Sequence, residues 1–247
     1  MNKFIVILFL STMHLMAGVI QIAVAANVSY AIDALREEFH KNNPDTKVIV
    51  ILGSSGKLTA QISHGAPYGL FMSANMKYPE ALYAQNIAMT KPVVYAQGAL
   101  ALFSVKKRDF SVGMELLKDP SIKKIALGNP KTAPYGKAAL QAIKNAKLYE
   151  AVKSKLIFGE SISQTLSYAI YGADIGIVAK SALLSSKMAQ YKEDENFYEL
   201  DATLYTPIKQ GIVLLKSATN TQEYKAFYDF ILSQKAKKIF LAYGYSF

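Results

Sequence analysis

Small polar residues gather at four places where an apolar, strand-like run passes into a helical one. These four polar stretches are 26–29 (ANVS), 53–56 (GSSG), 130–136 (PKTAPYG) and 160–163 (ESIS). The first turn of a helix leaves backbone N–H groups without partners, and the aligned peptide dipoles place partial positive charge there. Such a turn can bind an anion without a formal cation.

Two interpretations of the polar stretches are open from the sequence. Serine, asparagine and glycine are ordinary N-cap residues, so any one stretch alone is better explained by helix capping. Four together favour a shared site, because ligands of open α/β sheets bind outside the carboxyl ends of the strands, where all four stretches would lie. The set therefore predicts an anion site assembled from several loops.

The polar stretches are rich in hydrogen-bond donors and poor in acceptors. Amides and hydroxyls suit a fully deprotonated oxyanion, whereas a protonated phosphate also needs a carboxylate acceptor, which only Glu160 is near enough in sequence to supply. Both arginines, Arg36 and Arg108, lie outside the stretches, which disfavours a carboxylate ligand held by a guanidinium. Lys57 follows the second stretch and Lys131 lies near the start of the third, and both are expected to be exposed surface lysines.

Strand-like and helical runs alternate along the chain, which predicts how the polar stretches are positioned. Strands are predicted at 19–25, 47–52, 69–74, 123–130, 155–160 and 174–180. Helices are predicted at 28–43, around 58–62, and at 78–86, 136–146 and 163–172, with two more within 221–244. This alternation is typical of parallel sheets with crossover helices. Two long extended runs, 92–105 and 207–216, join the two sets, so we predict two α/β lobes between which the chain crosses twice.

The N-terminal residues have the pattern of an export signal. Lys3 gives a positive start, FIVILFL is an apolar core, and STMHLMAG precedes a predicted cleavage near Ala17 or Gly18. A rival small-x-small site at 23–25 would remove the predicted first strand. An uncleaved membrane anchor is the alternative, because few polar residues interrupt 4–26. Residues 1–18 are therefore predicted as a cleaved signal peptide, and the mature protein as periplasmic.

Composition narrows the classes of partner. The 247-residue chain has a formal charge of +10 but no cysteine, so neither a disulfide nor a lipid-bearing cysteine is expected, which fits a bacterial periplasm. The lysines are scattered along predicted helices rather than clustered with aromatic residues, so no nucleic-acid partner is expected. The positive field suits the attraction of anions.

Four longer segments, VAANVSYAIDAL, GSSGKLTAQISHGAPYGLFMSAN, GNPKTAPYGKAAL and GADIGIVAKSAL, follow one another along the chain. In this order the chain resembles the periplasmic molybdate-binding proteins of bacterial ABC importers, over essentially everything after the signal. The resemblance implies a two-lobed α/β fold of the type II periplasmic-binding class, which closes on molybdate or tungstate and delivers it to a permease in the inner membrane. It implies no catalysis, no cofactor, and molybdenum or tungsten bound only as the oxyanion, without direct protein–metal ligands.

The resemblance also implies which residues bind the oxyanion. The ligand position of the first loop falls on Asn27, where some family members have serine, with the Ala26 amide beside it. The hydroxyl of the second loop falls on Ser55. The backbone amides of the second lobe fall on Tyr135 and Ile162.

One position departs from part of the family. A tyrosine ligand that some members carry at the end of GIV is Ala179 here, and Asn27 with Ala179 resembles a variant branch. A shorter or rearranged set of ligands is therefore expected. Asparagine in place of serine should keep a donor but move it outward.

Other classes of protein fit the sequence less well. There is no G-x-S-x-G elbow, and His40 and His64 lie near predicted helix ends, so an enzyme is not expected. GSSGKL lacks the first glycine and the Ser/Thr of a P-loop. The 16 tyrosines include no adjacent pair and the histidines have no ligand spacing, so a ferric site is not expected. A binding protein for sulfate or phosphate and a ligand-sensing module docked on a receptor stay as alternatives.

The predicted organisation has three parts. Residues 1–18 are the signal peptide, 19–97 plus 206–247 form lobe 1, and 98–205 form lobe 2. The hinges are expected near 92–105 and 205–216, and the protein is expected to be a monomer. The sequence does not rank molybdate against tungstate, because the two anions have nearly the same size and charge.

Overall fold

The computed structural model describes residues 18–218 and 221–247. The predicted signal peptide therefore lies outside the described residues, except for Gly18, which begins the first strand. Residues 22–25 of that strand are buried, so cleavage at the rival site within 23–25 would remove part of the core. In the described part of the chain, no helix has the length and apolar character needed to cross a bilayer.

Ten strands form in the described part of the chain, and they belong to two five-stranded sheets. They are β1 (Gly18–Ala25), β2 (Thr46–Gly53), β3 (Leu70–Ser73), β4 (Val93–Gly98), β5 (Leu100–Phe103), β6 (Ile125–Gly128), β7 (Leu156–Gly159), β8 (Ile175–Ala179), β9 (Phe197–Glu199) and β10 (Ile208–Leu214). The first sheet has the order β2-β1-β3-β10-β4 and the second β7-β6-β8-β5-β9. β1 pairs in parallel with β2 and β3, and β6 with β7 and β8, whereas β10 and β5 run antiparallel to their neighbours.

Nine α-helices of the described part connect and cover the strands. They are α1 (Ile32–His40), α2 (Ser55–Ser63), α3 (Lys77–Ala84), α4 (Pro134–Asn145), α5 (Tyr149–Val152), α6 (Ile162–Tyr171), α7 (Lys180–Leu183), α8 (Thr221–Ile231) and α9 (Gln234–Ala242). Short 3-10 helices occupy Ala26–Tyr30, Phe110–Lys118, Lys153–Lys155, Ser186–Met188 and Ala202–Leu204. Two sheets with connecting helices confirm the predicted α/β class.

The first sheet buries apolar residues on both faces. Ile22 and Val24 of β1 pack in one cluster with Phe39 of α1, while Ala23 between them packs with Leu58 of α2 on the other face. Successive side chains of a strand point to opposite faces, so a central strand covered on both sides is apolar at nearly every position. This double burial explains why the segment 19–25 is apolar at every position except Gln21.

The chain passes from one sheet to the other at Ala99, between β4 and β5, and returns between β9 and β10. The run 92–105, expected from the sequence as one extended connector, is thus two strands of different sheets. Gly98 at the end of β4 permits a close approach, because a Cβ atom there would lie 1.8 Å from the Tyr135 hydroxyl oxygen. The lobe boundaries, 19–97 plus 206–247 and 98–205, stay a prediction.

Local geometry differs from the sequence prediction in several regions. The predicted helix 28–43 is a 3-10 helix over Ala26–Tyr30 followed by α1, since tight 3-10 turns are common where an α-helix begins. The three-residue strand β9 and the 3-10 helix Phe110–Lys118 were not predicted. Elements this short or irregular do not produce a clear hydrophobic period.

Candidate functional site

The four polar stretches meet at one end of the two sheets. β1 and β2 end in register, with Ala25 opposite Gly53, so the stretches that follow these strands are neighbours. β6 and β7 end in the same way in the second sheet, with Gly128 opposite Gly159. The carboxyl ends of both parallel pairs therefore present their loops to the space between the sheets.

A small cavity of about 10 Å³ lies between these loops. The five residues predicted to bind the ligand, Ala26, Asn27, Ser55, Tyr135 and Ile162, all belong to its lining. The other lining residues are Ala25, Gly53, Ser54, Ala74, Ala133 and Pro134. The fold thus brings the predicted residues to one point from both sheets, while their role in binding stays a prediction.

Helix capping, the alternative interpretation of the polar stretches, accounts for one of them. Ser161 caps α6 by accepting a hydrogen bond from the Gln164 N–H at 3.2 Å. The starts of α2, α4 and the 3-10 helix Ala26–Tyr30 have no side-chain cap. At α2 the Gly56 N–H instead donates to the Thr132 carbonyl oxygen at 2.9 Å. No side chain takes up the other first-turn N–H groups at these three starts, and such groups are the donors that an anion site uses.

Ser55, the first residue of α2, holds its hydroxyl in a fixed position. The Oγ atom accepts a hydrogen bond from the backbone N–H of Ala74 at 2.9 Å, and the residue is buried. A hydroxyl has one proton to donate besides its acceptor lone pairs, so this contact leaves the Ser55 proton available. Both residues line the cavity, and Ser55 can therefore donate to an acceptor inside it.

Ser54 is a second hydroxyl of the lining, which the sequence did not separate from its neighbour. Its Oγ is buried and has no hydrogen-bond partner among the described residues. Ser54 is the N-cap residue of α2 by backbone conformation, yet its side chain does not cap the helix. The stretch GSSG contains both serines and does not distinguish them. They differ because Ser55, but not Ser54, accepts a hydrogen bond from Ala74, which is remote in sequence.

Asn27 is buried, and its side-chain amide already has partners behind the cavity. Nδ2 donates to Gln210 Oε1 at 2.7 Å and to the Tyr245 hydroxyl at 3.1 Å. The Asn27 backbone carbonyl accepts from the Tyr245 hydroxyl at 2.9 Å and from Ser181 Oγ at 3.1 Å. The side-chain oxygen Oδ1 has no partner among the described residues. The predicted side-chain donor is thus engaged away from any ligand.

The ring of Tyr135 extends from the start of α4 to the point where the chain crosses between the sheets. Burial raises the pKa of its hydroxyl well above the ordinary value of 10, and the nearby hydroxyls of Tyr245 and Tyr95 add to the rise. The hydroxyl is therefore protonated at neutral pH. The side-chain amide of Asn27 acts on this pKa in the opposite direction, but it is not in hydrogen-bonding geometry, and the hydroxyl has no hydrogen-bond partner among the described residues.

Several direct contacts join the loops of the two sheets around the cavity. The Gly56 N–H donates to the Thr132 carbonyl oxygen at 2.9 Å, and Ser163 Oγ donates to the Ala26 carbonyl oxygen at 2.9 Å. Ser163 Oγ also lies 3.2 Å from Ser29 Oγ. These bonds hold the two sets of loops together over the cavity.

The cavity lining is uncharged, and charge appears only at the rim. Within the described residues, the lining contains no Asp, Glu, Lys, Arg or His. Lys57 Nζ lies 2.8 Å from Glu160 Oε1, and both side chains are about half exposed. Glu160, the carboxylate that could have accepted a phosphate proton, is therefore paired with Lys57 and lies outside the lining. Lys131 is exposed, as expected.

Ala179 and the metal-binding residue types were the two remaining features considered in the sequence. Ala179 ends β8, is buried, and pairs with Leu100 of β5 rather than lining the cavity. Among the described residues, no three His, Cys, Asp or Glu side chains lie together where they could hold a metal ion. The chemistry the cavity offers is hydrogen-bond donation from backbone amides and hydroxyls.

Comparison with known proteins gives consistent matches over almost the whole chain. A family model described as bacterial extracellular solute-binding protein matches residues 20–246. The molybdate-binding protein ModA of Azotobacter vinelandii is 34% identical over 93% of this chain and 90% of its own length. ModA of Rhodobacter capsulatus is 33% identical over 93% of this chain and 88% of its own length. The solved structure of the A. vinelandii periplasmic molybdate-binding protein superposes with a TM-score of 0.86 at 30% identity, covering 92% of this chain and 99% of that one.

Proposed function

The chain belongs to the bacterial extracellular solute-binding protein family and is a relative of its molybdate-binding members, and from this premise we propose that it captures molybdate or tungstate between its two lobes. The loaded protein then delivers the oxyanion to an ABC permease in the inner membrane. We propose that it acts as a monomer in the periplasm and catalyses no reaction. The periplasmic description of the A. vinelandii relative supports the location.

The observation that carries this proposal is the set of uncapped helix starts around one uncharged cavity. Three starts, those of α2, α4 and the 3-10 helix Ala26–Tyr30, have no side-chain cap and come from both sheets. Their N–H groups and dipoles favour negative charge. Removing a dianion from water costs on the order of 20 kcal/mol per unit charge in the idealised limit, so only a nearly saturated shell of donors can hold it.

The proposed donors come from both sides of the cavity. On one side are the Ser55 hydroxyl, the Ala26 amide and Asn27, and on the other are the backbone amides of Tyr135 and Ile162. Molybdenum or tungsten enters only as the centre of the oxyanion, since all proposed contacts are to its oxygens. No cofactor takes part in this mechanism.

Charge at the site disfavours a protonated ligand. A monoprotonated phosphate is best held by a carboxylate acceptor, and the predicted one, Glu160, is paired with Lys57 at the rim and lies outside the cavity lining. Sulfate is fully deprotonated like molybdate but smaller, so it would lose hydrogen bonds in a shell spaced for the larger anion. Size therefore separates molybdate and tungstate from sulfate.

We expect closure of the two lobes to connect binding of the oxyanion with its delivery to the permease. An anion that contacts donors from both lobes binds the closed form better than the open form and so shifts the population toward closure. The permease can then distinguish loaded from unloaded protein by shape. Closure is expected to use the two crossings near 92–105 and 205–216.

Isothermal titration calorimetry with molybdate, tungstate, sulfate and phosphate tests the proposal. We expect tight binding of molybdate or tungstate, weaker binding of sulfate and no binding of phosphate. Binding of phosphate alone would overturn the assignment. Binding of none of the four anions, in a protein shown to be folded, would favour the alternative of a sensor for another ligand.

A further inference from the structure

The 3-10 helix Ala26–Tyr30 follows β1 of the first sheet but lies against two helices that flank the second sheet. It contacts both α6 and α7. The ring of Tyr30 packs on an apolar cluster that strands β5, β8 and β9 form with these two helices. The same 3-10 helix carries the proposed donors Ala26 and Asn27, so the groups that hold it against α6 and α7 also position those donors.

Ser163, in the first turn of α6, binds the 3-10 helix through its hydroxyl. The Oγ atom donates to the Ala26 carbonyl oxygen at 2.9 Å and lies 3.2 Å from Ser29 Oγ. A serine hydroxyl has one proton, and Ser163 gives its proton to Ala26, so Ser29 is the donor in the second contact. Ser163 therefore both donates to the 3-10 helix and accepts from it.

Ser181 of α7 binds the same 3-10 helix at the next carbonyl group. Its Oγ donates to the Asn27 carbonyl oxygen at 3.1 Å, and the residue is buried. The same oxygen accepts from the Tyr245 hydroxyl at 2.9 Å. Tyr245 belongs to the side of the first sheet, because the next residue, Ser246, pairs with Gln97 of β4. The Asn27 carbonyl oxygen thus has one donor from its own side and one from the side of the second sheet.

The two serine hydroxyls are separate from the cavity. Among the described residues that line it, neither Ser163 nor Ser181 is present. They can therefore act on a bound anion only through the arrangement of the loops. Each donates from the side of the second sheet to the side of the first, so each bond breaks when the two sheets move apart. Water then satisfies the separated hydroxyl and carbonyl groups, and neither side loses an internal contact.

We propose that Ser163 and Ser181 are positioning residues for oxyanion capture, which hold the two lobes closed and so set how long the bound anion is retained. A bond made only in the closed form favours that form by its full free energy. When the unloaded protein is mostly open, the apparent affinity rises by the same factor as the closed population. This inference rests on the proposed function, because it needs an anion bound between lobes that open and close.

The first test compares Ser181→Ala with Ser185→Ala in molybdate and tungstate titrations and in thermal melts with and without the anion. Ser185 is the matched control, because it is also buried but its Oγ donates to the Ala182 carbonyl oxygen, on its own side. Ser181→Ala should weaken binding roughly threefold to tenfold and lower the melting temperature of the loaded protein only. Ser185→Ala should lower both melting temperatures and change the affinity less than about twofold.

A second pair of variants tests the contact from α6. Ser163→Ala should also weaken binding roughly threefold to tenfold, since it removes the bond to Ala26. Ser167 lies one turn later in α6, is exposed, and its Oγ donates to the Ser163 carbonyl oxygen at 3.3 Å within the helix. Ser167→Ala should therefore change the affinity less than about twofold.

Rates of binding provide a readout that a merely structural role would not change. The serine bonds form after the anion has been captured, so their loss should speed anion release by the factor that is lost in affinity. The association rate constant should stay within about twofold of that of the unmodified protein. Stopped-flow measurement of tyrosine fluorescence can follow both rates, since the chain has 16 tyrosines and no tryptophan.

The outcomes separate this inference from the proposed function. Unchanged affinity in Ser163→Ala or in Ser181→Ala overturns the inference. An equal fall in the melting temperature of unloaded Ser181→Ala and Ser185→Ala overturns it too, because Ser181 would then be a structural residue. So does weaker binding that arises from slower association alone. Failure of the unmodified protein to bind molybdate, tungstate, sulfate or phosphate is instead a failure of the proposed function.

Discussion

The Gly56 backbone N–H donates to the Thr132 carbonyl oxygen at 2.9 Å, which joins the first turn of α2 to the loop after β6. Glycine is required for this approach: a Cβ at position 56 would lie 2.8 Å from the Tyr78 hydroxyl and 3.0 Å from the Thr132 Cα and carbonyl oxygen. The loops of the two sheets are therefore in contact through backbone atoms, with no side chain at Gly56 between them.

Gly56→Ala is expected to affect stability and binding in opposite directions. Alanine is favoured over glycine within a helix by about 0.5–1 kcal/mol, so the free energy of unfolding of the unloaded protein should rise. The added methyl group prevents full closure, and overpacking of about 1–3 kcal/mol corresponds to roughly 5- to 150-fold weaker molybdate binding. Urea unfolding and calorimetry on the same preparation measure the two effects, and unchanged affinity would contradict the closed arrangement.

Ser55→Ala should weaken molybdate binding and also destabilise the unloaded protein. It removes a donor to the anion, worth about 1–3 kcal/mol, and leaves the Ala74 N–H without its acceptor at a cost of about 1 kcal/mol. Ser63→Ala is the matched control, because Ser63 is exposed at the other end of the same helix. If Ser55→Ala lowers stability but leaves the affinity unchanged, Ser55 is a structural residue and not a ligand.

The rim ion pair between Lys57 and Glu160 should contribute little to closure. Both side chains are about half exposed at a separation of 2.8 Å, and exposed pairs contribute about 0.2–1 kcal/mol. A double-mutant cycle with Lys57→Met and Glu160→Gln should give a coupling of this size in the free energy of molybdate binding. Added salt should reduce the coupling further by screening. A coupling of several kcal/mol would indicate that the pair is the principal lock of the closed form.

The buried tyrosines make stability fall in alkaline solution. Burial raises the pKa of Tyr245 to about 12, from 10 in the unfolded chain, and the pKa values of Tyr95 and Tyr135 are also raised. Below pH 10 all three hydroxyls are neutral in both states. Between pH 10 and the folded pKa the unfolded chain loses protons first, so each such group lowers the free energy of unfolding by about 1.4 kcal/mol per pH unit.

Urea unfolding at pH 9, 10 and 11 measures this slope. Above pH 10, the free energy of unfolding of Tyr245→Phe should fall less steeply with pH than that of the unmodified protein, by about 1.4 kcal/mol per pH unit for the one missing proton. Lysines that titrate in the same range are present in both proteins, so the difference between the two slopes reports on Tyr245 alone. An identical slope in the variant would show that the Tyr245 hydroxyl is not buried in solution.

Local patterns in the sequence were sufficient to predict the positions of most strands and of the polar stretches that follow them. The predicted strands at 19–25, 47–52, 155–160 and 174–180 agree with β1, β2, β7 and β8 to within about a residue at each end. This agreement arises because hydrophobic period and N-cap residue types act over a few neighbouring positions. The same rules placed the polar stretches at the ends of strands, and thus at the end of each sheet where the cavity lies.

The tertiary structure alone decided what each polar residue does there. Ser161 caps its helix, whereas the Ser55 hydroxyl accepts from the Ala74 N–H and the Ser54 hydroxyl has no partner among the described residues, although all three are suitable N-cap residues. Asn27 finds its partners in Gln210 and Tyr245, which come from distant parts of the chain. A hydrogen bond depends on which groups the packed chain brings within about 3 Å, and no local period in a sequence carries that information.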